Sequence, residues 1–130
     1  MVQAILRNVR SHDCEISLLL TDNLQIQDLN REYRGEDHPT DVLSFSMCEG
    51  EFKGLNPHIL GDVVISVERA DEMKEERGVT FQVMTAILII HGILHLHGYD
   101  HKKGLNDARV MEKEEARLLI LLKEKNLLDG

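Results

Sequence analysis

The sequence predicts an α+β fold, a small mixed β-sheet covered by a layer of helices, on three observations. Strand-like apolar runs gather in the first half of the chain and helical stretches in the second. The stretch from Phe81 to about His97 is so continuously apolar that it must cross a core. Its end, His91-Gly-Ile-Leu-His-Leu-His-Gly-Tyr-Asp-His101, holds four of the chain's seven histidines.

The elements follow in order. Val2–Val9 is apolar and fits either a short helix or a strand, and Glu15–Thr21 reads as a strand. Asp22-Asn23 caps a helical segment that carries Leu24, Ile26 and Leu29 to about Tyr33. Arg34–Asp41 is a polar loop punctuated by Gly35 and Pro39, and Val42–Met47 is the next strand. Glu49–His58 is an exposed loop, and Leu60–Val67 is the best candidate for a buried strand. Val67–Arg77 is a highly charged helix stopped by Gly78, and Thr80 caps the apolar helix that follows. Asn106 caps a final helix to about Lys125, with Val110, Met111, Leu118, Leu119 and Leu122 facing inward.

Residues 1–130 are expected to form one domain, large enough to bury a core without staples. Cys14 and Cys48 are far apart and form no C-x-x-C pattern, so no disulfide framework is expected and the cytoplasm is the natural home. The longest apolar runs, Val83–Ile90 and Leu118–Leu122, are too short to span a bilayer, and no secretion signal is expected. No membrane partner is expected. The net charge of −8 argues against a simple basic footprint for a polyanion. Basic residues nevertheless lie near the informative segments (Arg31, Arg34, Lys53, Lys102, Lys103), while many acids fall on what read as solvated helix faces, Glu68–Glu76 and Glu112–Glu115. A locally positive cleft on an acidic body is compatible with this distribution.

The histidine spacing has a geometric meaning. At about 100° per helical residue, His91 and His95 stand on one helix face, one turn apart. Two imidazoles so placed can grip one Zn²⁺. Gly98 can end the helix and turn the chain, which lets His101 swing round as a third ligand. Three histidines with one open position describe a catalytic zinc site, set on the core helix and the turn after it. Ni²⁺ or Co²⁺ would also accept such ligands. A single histidine on an apolar face is ordinarily a packed core residue; the joint pattern points to a metal. His97 points about 200° away from His95 and reads as a packing or surface residue. Asp100 either orients a ligand imidazole or simply occupies the turn.

A zinc ion held by three neutral imidazoles lowers the pKa of a bound water to about 7, which makes the chain a candidate metal-dependent hydrolase. Peptidases of the His-Glu-x-x-His kind draw their general base from the residue after the first histidine. Here that residue is Gly92, so proteolysis is a minor reading. A phosphodiester instead needs a cation for its non-bridging oxygens, and the guanidinium of Arg34 is a candidate. On its own, an arginine before a glycine in a loop is more often merely solvated.

Four segments taken together resemble the YbeY family of bacterial single-strand-specific metallo-endoribonucleases. They are Tyr33-Arg34-Gly35, Pro39–Phe45, Leu60–Ser66, and His91-Gly92-x-Leu94-His95-Leu96-x-Gly98-Tyr99-Asp100-His101. The match covers roughly residues 15 to 125, and the histidine segment is by itself highly specific. Family members often carry an additional strand and helix before the segment that matches Glu15–Thr21. The resemblance implies a zinc-dependent endoribonuclease that cuts single-stranded RNA, matures the 3′ end of the small-subunit ribosomal RNA and serves late ribosome quality control. Its partners would be ribosomal RNA and the small ribosomal subunit or its proteins. It also implies that His91, His95 and His101 are the zinc ligands and that Arg34 is the functional arginine. Thr40, Asp41 and Ser44 are read as satisfying a buried turn rather than touching substrate. Gly61-Asp62 is read as the opening of a strand, and Tyr99 as packing over the turn. The competing reading is a non-catalytic ribosome-assembly factor with a structural zinc.

Overall fold

The structure is a computed structural model that describes residue 5 and residues 15–46, 59–96 and 105–125. Its elements are β1 (Glu15–Thr21), α1 (Asn23–Arg34), β2 (Val42–Ser46), β3 (Ile59–Ser66), α2 (Val67–Arg77), α3 (Phe81–Leu96) and α4 (Leu105–Glu124). The expected segments Val2–Val9 (apart from Ile5, which is helical and buried) and Glu49–His58 lie outside the described residues.

The sheet is mixed, with strand order β1-β3-β2. β3 runs parallel to β1, with Leu18 opposite Val63, and antiparallel to β2, with Ser44 opposite the same Val63. A central strand covered on both faces needs apolar residues at successive positions, and β3 supplies them. Val63 and Ile65 enter the main core with α3, while Val64 joins Ile26 and Leu43 in a smaller cluster beneath α1. Gly61 lies inside β3 rather than at its opening, paired with Ile16 and Ser46. A Cβ there would run into the Phe45 carbonyl oxygen and stand 2.7 Å from Leu96 Cδ2. The glycine therefore lets the end of α3 press on the sheet.

Local signals set the helix ends. Asp22 accepts the Gln25 N–H at 2.8 Å as the N-cap of α1. At the other end Gly35 adopts φ 71°, and its N–H returns to the Arg31 carbonyl at 3.2 Å, the left-handed glycine cap. Arg34 is consequently the last helical residue rather than the first of a loop. Thr80 Oγ1 accepts the Val83 N–H at 3.2 Å at the start of α3.

Helix α3 is the spine of the main core. Val83, Met84, Ala86, Leu88, Ile89, Ile90, Gly92, Ile93, Leu94 and Leu96 are all buried, which is why the stretch is apolar all round. Among the described residues no single helix is long and apolar enough to cross a membrane. Helix α4 covers α3 through Met111, Leu118 and Leu122. Two expectations for it are corrected. The helix begins at Leu105, so Asn106 lies within its first turn rather than capping it, and Val110 is 49% exposed rather than inward. Position 110 precedes Met111 on the helix and is rotated about 100° away from the buried stripe.

Candidate active site

His91 and His95 occupy the last turns of α3, both partly buried. Their Nε2 atoms face each other at 3.0 Å, with ring centroids 4.6 Å apart and planes inclined by 64°. On its far side, His91 Nδ1 lies 2.6 Å from Glu115 Oε1 of α4. A carboxylate only accepts, so Nδ1 is the donor in this contact, and in a neutral ring Nε2 is then the nitrogen that carries the lone pair. The two Nε2 atoms thus converge on one point.

That donor set suits a borderline-soft divalent ion. Two nitrogens each about 2.0 Å from a tetrahedral centre stand roughly 3.3 Å apart, close to the spacing found here. A carboxylate behind the imidazole fixes its tautomer and raises its basicity, as at many zinc sites. The third expected ligand, His101, lies outside the described residues, as do His97, Tyr99 and Asp100. Among the described residues no group of three His, Cys, Asp or Glu side chains gathers as a metal cage.

Glu115 is the residue that sequence reasoning missed. Grouped with its acidic neighbours, it read as part of a solvated face, but its side chain is only 26% exposed and bonded to His91. The signal was present: Met111, Leu118 and Leu122 mark the buried stripe of α4, and position 115 falls on it. A carboxylate set in an apolar stripe calls for a partner.

Gly92 shows why the peptidase pattern is not available. A Cβ at this position would stand 2.6 Å from Val63 Cγ1 and 3.2 Å from Ser44 Oγ. The residue after His91 faces the sheet, so a glutamate there would be driven into the helix–sheet contact instead of toward the histidines.

Arg34 reaches β2 from α1. Its Nη2 donates to the Ser44 carbonyl, and its guanidinium carbon lies 5.4 Å from the Phe45 ring centroid. Ser44 Oγ in turn donates to the Gly92 carbonyl at 3.0 Å. Ser44 therefore links the arginine to the histidine helix with both its hydroxyl and its main chain. Arg31, one turn earlier, is bound to Asp28 at 2.9 Å and to Asp37 at 3.5 Å. Asp41 is used by the backbone: its carboxylate accepts the Val42 N–H at 2.8 Å, and its carbonyl accepts the Ser66 N–H at 3.0 Å. Thr40 Oγ1 donates to that carboxylate at 3.3 Å.

A family model described as Endoribonuclease YbeY matches residues 1–123. The chain is 44% identical to the Endoribonuclease YbeY of Syntrophotalea carbinolica over 128 residues, covering 98% of this chain and 85% of the relative. It is equally similar to the Endoribonuclease YbeY of Geobacter metallireducens, at 44% over 128 residues with the same coverage. Among solved structures, the solution structure of TM1509 from Thermotoga maritima superposes with a TM-score of 0.61 at 26% identity, covering 94% of this chain and 84% of that one.

Proposed function

Because the chain belongs to the YbeY family of endoribonucleases, its substrate is RNA and its reaction hydrolytic, and we propose that it cuts single-stranded RNA at a zinc site. The proposed ligands are His91, His95 and His101, with Arg34 on the scissile phosphate. The observation that carries this reading is the convergence of His91 and His95 Nε2 at 3.0 Å with Glu115 behind His91. When bound, the ion supplies Lewis acidity toward the phosphodiester and a water acidic enough to attack at neutral pH.

The chain's own groups do the rest. Glu115 accepts the His91 Nδ1 proton and so keeps the Nε2 lone pair aimed inward. Arg34 keeps N–H groups beyond the one that anchors it to Ser44. Those groups can hold two non-bridging oxygens while the charge on them grows. Position 92 supplies no carboxylate, and Glu115 is engaged with His91 Nδ1, so the proposed mechanism assigns proton transfer to no residue of α3.

The proposed biological task is maturation of the small-subunit ribosomal RNA 3′ end and late ribosome quality control, in the cytoplasm. The net charge of −8 supports docking against basic ribosomal proteins. The deciding experiment compares zinc-loaded wild type with Arg34→Ala and His95→Ala on one structured RNA that carries single-stranded ends. Cleavage confined to the single strands and reduced on the order of 10²–10³-fold or more in both variants supports the reading. Equal residual cutting by all three proteins would mark a contaminant and favour a docking factor without nuclease chemistry.

A further inference from the structure

Tyr33 sits on the last turn of α1, next to Arg34, and is 62% exposed. The chain is poor in aromatics, with two tyrosines, three phenylalanines and no tryptophan. Yet Tyr33 and Phe45 meet edge to face beside the arginine, with centroids 5.4 Å apart and planes at 63°. Phe45 also lies 5.4 Å beneath the Arg34 guanidinium carbon. One exposed tyrosine needs no explanation. An exposed tyrosine braced by a half-buried phenylalanine, beside a guanidinium fixed to the backbone, is a different object.

Building on the proposed nuclease reading, we propose that Tyr33 is a stacking platform for one unpaired base of the RNA. Arg34 holds a phosphate beside it. The exposure of Tyr33 leaves much of the residue open to a base. Phe45 contacts the ring edge and the hydrogen-bonded turn at Gly35 fixes the backbone beneath it, which lowers the ordering cost of binding. Stacking on an aromatic face accepts any base, but only a base already out of a duplex can reach it. The geometry therefore gives the enzyme a reason to choose single strands without choosing sequence. The Ser44 bridge from Arg34 to Gly92 ties this platform to the helix that carries His91 and His95, so base and scissile phosphate are held on one connected frame.

The absence of tryptophan supplies the test. In Tyr33→Trp the new indole is the only one in the protein, and its fluorescence reports directly on stacking. Stopped-flow mixing of the zinc-loaded variant with a short unstructured RNA should quench it before cleavage, and the same RNA paired with its complement should not. In steady state, Tyr33→Ala should raise KM for single-stranded RNA about tenfold and leave kcat near wild type, with Tyr33→Phe close to wild type. Because Tyr33 is exposed and alanine favours helix, Tyr33→Ala should fold normally, which circular dichroism checks. Unchanged KM in Tyr33→Ala, or equal quenching by the duplex, overturns the platform while leaving the nuclease reading intact. Tyr33-dependent binding of single strands by a wild type that does not cut leaves the platform standing and removes the nuclease reading.

Discussion

Ser44 Oγ donates to the carbonyl of Gly92 at 3.0 Å, across a sequence separation of 48 residues. The bond fastens β2 to α3 at the residue that follows His91. The same serine receives the Arg34 guanidinium on its own carbonyl. Both groups proposed to act on the phosphodiester, the histidine pair and the arginine, are thus held through a single strand residue. Their relative placement depends on how closely α3 approaches the sheet, which Gly92 and Gly61 both permit.

Gly92→Ala should therefore damage both stability and activity. Alanine favours helix by about 1 kcal/mol over glycine. Against that, the new methyl would meet Val63 Cγ1 at 2.6 Å, on a fully buried, β-branched residue of the central strand that has little room to turn away. Overpacking of this kind costs roughly 1–3 kcal/mol or more, so a net loss of stability is expected. Ser44→Ala removes only the hydroxyl, costs about 1 kcal/mol, and leaves the carbonyl that anchors Arg34. Urea denaturation with parallel cleavage assays should rank wild type above Ser44→Ala and Ser44→Ala above Gly92→Ala. A Gly92→Ala protein as stable and active as wild type would show that the close approach is not needed.

In the proposed zinc site, Glu115 would act through His91 rather than by touching the ion. Glu115→Ala should lower zinc affinity about 10–100-fold, the usual effect of losing a carboxylate behind a ligand imidazole. Glu115→Gln, which keeps an acceptor oxygen, should fall between alanine and wild type. Competition against a zinc-binding dye measures this directly. The stabilisation by zinc in a melting experiment should weaken in the same order, since binding to the folded state alone raises stability with ligand concentration over Kd. If all three proteins bind zinc equally, the 2.6 Å contact between His91 Nδ1 and Glu115 has no bearing on the metal.

How much of this was legible in the sequence follows from the range of each interaction. Helix α3 announced itself because most of its positions are buried, and β3 because both of its faces are covered. Asp22, Thr80, Gly35 and Gly78 mark helix ends by short-range chemistry that a sequence displays openly. The pairing of His91 with His95 is likewise a matter of helical spacing. Glu115 and Ser44 act across tertiary distances, and nothing near them in sequence names a partner. Glu115 was hidden among the acids of α4 and is recovered only by setting it on the stripe of Met111 and Leu118. Gly92 read as the missing base of a peptidase, while its physical reason, contact with Val63, needed the sheet in place.

The chemistry of the cut ends discriminates between two nucleophiles. Attack by the ribose 2′-hydroxyl needs a base to take its proton and leaves a 2′,3′-cyclic phosphate. In this site the Nε2 atoms of His91 and His95 are turned toward each other, and His91 Nδ1 is engaged with Glu115. Gly92 adds no carboxylate to that face. On the proposed reading, His91 and His95 would help hold a zinc ion that lowers the pKa of a water, so water would be the nucleophile, and Arg34 would stabilise charge on the phosphate. An RNA with a single 2′-deoxy nucleotide at the cleaved position should then be cut at a rate within a few-fold of the all-ribose strand, and mass spectrometry should find linear phosphate ends. Cyclic phosphate ends, or complete protection by the single deoxy substitution, would assign the attack to the 2′-hydroxyl. One of the two imidazoles would then have to serve as base rather than ligand.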